Sequence, residues 1–141
     1  MLYKRCGSCG KKIPYDSQCS CVSKRRREYN KQRYNYNAKS ERFYHSSKWK
    51  LVRSRAIIKY YSMDIYEYFT TGRVVEGKIM HHIVEVKDDF NKADDINNLI
   101  YLTDSNHKKI HALYEKGEVE KKKIQEELTR YIKLWEKEFC F

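Results

Sequence analysis

The sequence predicts an α+β fold, with a small ββα core, flanking helices and a cysteine-rich knuckle at the N-terminus. Three observations predict it. Two short apolar runs, Lys78–Val84 and Leu99–Leu102, read as strands, and a helical pattern that stops at Gly117 follows the second of them. Helical periodicity flanks this unit, with Trp49, Val52, Ala56 and Tyr60 before it and Ile124, Leu128, Tyr131, Ile132 and Trp135 after it. Finally, four of the five cysteines fall between Cys6 and Cys21.

Those four cysteines are spaced Cys6-Gly-Ser-Cys9 and Cys19-Ser-Cys21. A CxxC turn with glycines lets backbone amides point at a thiolate. Four thiolates so spaced can close a tetrahedral zinc shell, which would fold a segment too short for a core of its own. Disulfides or free thiols are the competing reading. No coordination position would stay open, so a zinc here is structural. The odd cysteine count favours a reducing compartment, and Cys140 reads as a free thiol without a role.

The chain has 141 residues, 40% of them hydrophobic, but thirteen are tyrosines and the mean hydropathy is -0.91. The core should be thin. No apolar run is long enough to span a membrane, and the first twelve residues are too polar for a secretory signal, so a soluble, cytoplasmic protein is expected. The formal net charge is +11, and residues 1–60 carry seventeen Lys and Arg against three Asp and Glu. That front end implies a polyanionic partner, nucleic acid or an anionic membrane surface.

Residues 1–22 are read as the knuckle, 23–42 as a basic segment, 43–117 as the central domain and 118–141 as a C-terminal helix. In the basic segment, Lys24, Arg25, Arg26, Arg27, Lys31 and Arg33 alternate with tyrosines up to Tyr36. Such a run can be a solvated linker, but placed after a knuckle it suits a helix that tracks phosphates. Without an apolar stripe, it should order fully only on the nucleic acid. Ser46 or Ser47 caps the next helix, about Lys48 to Tyr60, whose Lys50, Arg53 and Lys59 lie off the apolar stripe and can face phosphate. His45 stands alone and reads as a surface or packing histidine. Asp64 to Thr70 reads as a short helical turn stopped by Gly72. Residues 85–97 form an acid-rich excursion, a lid or a plain surface loop.

The chemistry gathers between Met80 and His111. His81 and His82 lie side by side on the first strand, an Asn97-Asn98 pair precedes the second, and His107 and His111 share one face of the helix capped by Thr103 or Asp104. Four of the five histidines are therefore in one stretch. Phosphodiester hydrolysis needs an activated water, charge neutralisation at phosphorus and help for the 3′ oxygen. One divalent ion and one base can supply these. Neighbours on a strand face opposite ways, so one of His81 and His82 should hold the metal and the other take the proton. Unrelated packing histidines remain the bland reading.

This segment resembles the HNH, or ββα-metal, endonucleases over roughly residues 43–114, and Phe43 to Arg53 with the Gly72 to His81 spacing resembles phage-encoded members. The resemblance implies that His81, His107 and His111 bind one catalytic divalent ion, that His82 is the general base and that Asn98, just before Leu99, orients it. The spacing of Asn98, His107 and His111 is like that of the colicin-type nucleases. It further implies double-stranded DNA as substrate, contacted in the minor groove, a 5′-phosphate product, and a phage or mobile-element role in packaging beside a terminase, in homing or in restriction. Three imidazoles suit Ni, Zn, Co or Mn better than Mg.

Two departures from the family stand out. Where many members carry a second structural zinc on CxxC pairs, this chain has Ile65 and Tyr68, then Thr103 and Asn106, so that zinc should be absent with apolar packing on one side. A frequent proline is Glu85 here, expected to face water. The alternative function is a zinc-knuckle nucleic-acid-binding protein that keeps a degenerate ββα unit as scaffold.

Overall fold

The computed structural model describes residues 1–139, apart from the side chain of Tyr36; Cys140 lies outside the described residues. The chain divides between Arg42 and Phe43 into two compact units. In the first, β1 (Tyr3–Arg5) and β2 (Lys12–Pro14) pair as an antiparallel hairpin in which Lys4 faces Ile13. Gly10, at φ 75°, makes the turn between them. Helix α1 (Ser20–His45) follows and runs past the division.

The basic segment that was expected to form a phosphate-tracking helix is helical throughout, as part of α1. Arg, Lys, Gln and Glu are good helix formers, and no Gly or Pro interrupts them between Ser20 and His45. A helix of this length can persist on propensity and side-chain pairs where a short one could not. It buries little, since nearly all of Val22 to Asn35 is exposed.

The second unit is built behind a two-stranded sheet. Helix α2 (Ser47–Lys59) starts where the Ser46 hydroxyl accepts from the Trp49 amide at 3.1 Å, and it buries Trp49 and Ala56. Tyr60, fully buried at its end, donates its hydroxyl to the Leu99 carbonyl at 2.6 Å. Asp64 caps α3 (Ile65–Thr71), and Gly72 ends it in the left-handed conformation. Strands β3 (Ile79–His82) and β4 (Leu99–Leu102) pair antiparallel, with His81 opposite Ile100 and His82 opposite Leu99. Gly77 lets the chain pass the Tyr101 ring, which a Cβ would meet at 2.6 Å.

Helix α4 (Asp104–Glu115) is capped by Thr103, and α5 (Glu118–Phe139) lays Ile124, Leu128, Tyr131, Ile132 and Trp135 into the core. The Trp135 indole donates to the Lys59 carbonyl at 2.8 Å, tying α5 to the end of α2. Lys59 itself pairs with Glu136 at 2.6 Å, so it is not free to face phosphate as its place off the stripe suggested. His45 is exposed. No helix among the described residues is long and apolar enough to cross a membrane.

At the place where a second zinc would sit, Ile65 joins the apolar core on one side. The other side is polar. The Asp64 carboxylate, 0% exposed, accepts from the Glu67 amide at 2.8 Å, the Thr103 amide at 2.7 Å and the Asn106 side chain at 2.8 Å. The same Asn106 nitrogen donates to Glu67 at 2.9 Å, and Glu67 is also bonded by Arg73. These bonds, Asn106 first, hold the Glu67 carboxyl below the usual range.

Asp64→Ala would remove a cap and strand two buried donors, and we expect it to cost about 3–5 kcal/mol in urea unfolding. Asp64→Asn should lose nearly as much, because its amide would set a donor against donors. A change within 1 kcal/mol of zero for both would show that the network is dispensable.

Candidate metal centres

In the first unit the four cysteines converge. Cys6 and Cys9 come from the β1–β2 turn, and Cys19 and Cys21 from the start of α1. The Sγ atoms of Cys6 and Cys21, and of Cys9 and Cys19, are each 3.5 Å apart. Thiolates 2.3 Å from one tetrahedral ion would be about 3.8 Å apart, so the spacing fits a metal shell. Backbone amides of Cys9 and Ser8 lower the Cys6 thiol to about 6, whereas the neighbouring thiols, Cys19 first, push Cys21 up to about 12. Four sulfurs therefore compete for negative charge that a bound cation would stabilise.

Lys11, Lys24 and Arg27 line a 620 Å³ cleft beside these cysteines. Arg26, Lys31 and Arg33 also project from α1 into solvent. Arg25 is different: its guanidinium donates to the Ser8 hydroxyl at 2.6 Å, so it also fastens the knuckle loop to the helix. In the second unit, Lys50 is exposed and Arg53 half-buried on α2.

The second cluster is histidine. His81, His107 and His111 offer nitrogens that all lie within 4.8 Å of one another. The His81 ring stands 5.4 Å from His107 and 5.1 Å from His111, edge to face. The Nε2 atoms of His107 and His111 are 3.0 Å apart, close to the roughly 3.3 Å expected of two imidazoles on one tetrahedral ion. Burial first, then the neighbouring imidazoles, lowers His81 to about 3; burial also lowers His107. Both are neutral at neutral pH, the form that binds metal.

His82 points the other way, as strand alternation requires. Its ring stacks on Trp49 at 5.1 Å and 24°, with Phe43 and Tyr44 at its edges. Nε2 lies 2.8 Å from the Ala93 carbonyl, which can only accept, so Nε2 carries the proton and Nδ1 is left as the acceptor. Burial lowers its pKa, against the opposing effect of the Ala93 bond.

Among the described residues, no hydrogen bond joins the Asn98 side chain to His82. The Asn98 side chain instead accepts from the Val84 amide at 2.8 Å and donates to the Val84 and Lys92 carbonyls at 2.9 and 3.2 Å. It therefore holds the segment whose next carbonyl, that of Ala93, receives His82. The 85–97 excursion is accordingly more than a surface loop: Val86 and Ala93 are buried, and Lys48 pairs with Asp94 across it.

Glu85 does not face water as expected. It pairs with Lys121 at 2.9 Å, and its other oxygen lies 3.8 Å from His111 Nδ1. Lys121, bridging Asp88 and Glu85, has its pKa raised by those two bonds. Tyr114, which the sequence pattern does not single out, also joins the site, its hydroxyl 3.1 Å from His81 Nε2. Its spacing from His107 and His111, seven and three residues, was the available signal.

No family model and no curated protein matches the chain. Among solved structures, it is similar to the HNH endonuclease of the deep-sea thermophilic bacteriophage GVE2, crystallised with manganese ion. The TM-score is 0.56 and the identity 25%, over 63% of this chain and 94% of that one.

The lowered histidines have a stability consequence in metal-free protein. Folded His81 takes its proton near pH 3, but the unfolded chain does so near 6.5, so the unfolded state binds more protons between those values. Stability should therefore be full above about pH 6.5 and fall by about 2–4 kcal/mol as the pH drops toward 3. Urea unfolding of chelated protein measures this, and His81→Asn should flatten the profile.

Proposed function

From an α+β chain with the HNH, or ββα-metal, nuclease fold and an N-terminal four-cysteine cluster, we propose a metal-dependent endonuclease that hydrolyses phosphodiester bonds in DNA. The observation that carries this reading is the division of β3: His81 faces His107 and His111, and His82 faces the opposite way with an unprotonated nitrogen. His81, His107 and His111 would hold one divalent ion, and Mn²⁺ is the first to test, given the ion in the GVE2 enzyme. When bound, such an ion supplies charge neutralisation at the phosphate and at the departing 3′ oxygen.

The chain's own residues do the rest. His82 takes a proton from water at Nδ1, with its Nε2–H held by Ala93. Trp49 excludes solvent from one ring face, and Asn98 positions the loop that bears the Ala93 carbonyl. Lys24, Arg26, Arg27, Lys31 and Arg33, with Lys50 and Arg53, supply positive charge for the DNA backbone. We read the four-cysteine centre as structural zinc. The phage source of the GVE2 enzyme supports a phage or mobile-element origin, with action in a bacterial cytoplasm.

Incubation of supercoiled plasmid with Mn²⁺, Mg²⁺, Ni²⁺, Co²⁺ or Zn²⁺, with and without EDTA, tests the proposal. Metal-dependent nicking is expected; binding without it would favour a nucleic-acid-binding scaffold. His82→Ala should lower the rate about 10²–10⁴-fold with metal uptake intact. His111→Ala should weaken metal affinity and be partly rescued by excess ion, and Asn98→Ala should slow cleavage with metal affinity nearly intact. If His82→Ala loses metal while His81→Ala keeps it, the two roles are reversed.

Metal analysis addresses the other centre. The parent protein should carry one equivalent of zinc, and Cys6→Ser with Cys9→Ser should abolish it while the second unit stays folded. Thiols found paired in fresh protein would contradict the assignment.

A further inference from the structure

We propose that Tyr114 fixes the tautomer of His81, so that His81 offers Nδ1 to the metal while His107 and His111 offer Nε2. This rests on reading the three histidines as a metal centre. It adds a positioning residue, and it states which nitrogen of each ring binds.

The argument is an account of protons. The Tyr114 hydroxyl is buried and lies 2.7 Å from the Ile83 carbonyl oxygen. A carbonyl only accepts, so the one hydroxyl proton points there. The Gln125 side chain from α5 donates to the same carbonyl at 2.9 Å, so both lone pairs of that oxygen are used. Tyr114 has no second proton for His81 Nε2 at 3.1 Å, and toward that nitrogen it can only accept. Nε2 must then carry the ring's hydrogen. A neutral imidazole has one N–H, and Nδ1 is left with a bare lone pair.

The opposite tautomer would leave Nε2 bare beside a hydroxyl already committed elsewhere, and would aim an N–H at the cluster. Metal-bound histidines ordinarily donate their second nitrogen to a carboxylate, a backbone carbonyl or water, which sets the tautomer and raises ligand basicity. Here a tyrosine oxygen fills that place. Tyr114 lies on the face of α4 that carries His107 and His111, so one helix provides two ligands and the orienter of the third. The Ile83 carbonyl, in turn held by α5, directs the hydroxyl.

The test uses the full chain. Tyr114→Phe keeps the ring and deletes the acceptor, and should weaken Mn²⁺ affinity by about 10–100-fold in calorimetry. With ¹⁵N-labelled histidine, the metal-free parent should show His81 protonated at Nε2, and the variant should lose that preference. Tyr131→Phe, which deletes the hydroxyl of another buried tyrosine, one bonded to Glu127 on its own helix, controls for general loosening and should keep tautomer and affinity. Parental tautomer and affinity in Tyr114→Phe would overturn the proposal, as would an equal loss in Tyr131→Phe. A parent protein that takes up no Mn²⁺ at the histidines would instead overturn the metal-centre reading beneath it.

Discussion

The Asp64 carboxylate is the constraint on which the second unit depends. It is fully buried, and a buried charge is tolerable only when its oxygens are saturated with donors. Those donors come from both sides of the core: the Glu67 amide in α3, and the Thr103 amide with the Asn106 side chain at the start of α4. One anion thus begins α3 and orients the first turn of α4. His107 and His111 lie one and two turns further along that helix, so their place over β3 is set from the end that Asp64 holds. A local error there would be carried along a rigid rod to the histidines.

Most of this architecture is legible in the sequence because it is periodic. Helix α5 and strand β4 lie where their apolar patterns put them, and Ser46, Asp64, Thr103 and Gly72 act as the caps and stop that their types suggest. Strand β3 is shorter than its apolar run. Ile83 turns its amide to the Asn98 carbonyl, and Val84 is taken up by the Asn98 side chain, so the ladder ends at His82. Pattern cannot reveal such a capture, because it depends on a residue fourteen positions away.

What stayed hidden is of the same kind. The Asp64 network joins residues about forty positions apart, and nothing in the neighbourhood of Asn106 marks it as the donor. Glu85 reads as a loop acid until α5 brings Lys121 against it. Helix α1 is legible for another reason: it has no apolar stripe, but helix-forming side chains fill it with no Gly or Pro among them. The histidine cluster was readable because two strand neighbours and an i, i+4 helical pair leave few ways to assemble.

Helix α5 carries no histidine and lies outside the ββα arrangement, yet it is joined to it, and to α2 beside it, at three points. Gln125 bonds the Ile83 carbonyl, Lys121 bridges Glu85 and Asp88, and Trp135 seals the end of α2. Its inner face also buries Ile124, Leu128 and Ile132. The minimal autonomous piece of this unit is therefore larger than the strand-strand-helix arrangement that defines its fold. A fragment trimmed after Gly117 would keep every histidine but bare a continuous greasy wall, and such a fragment would self-associate before it could organise.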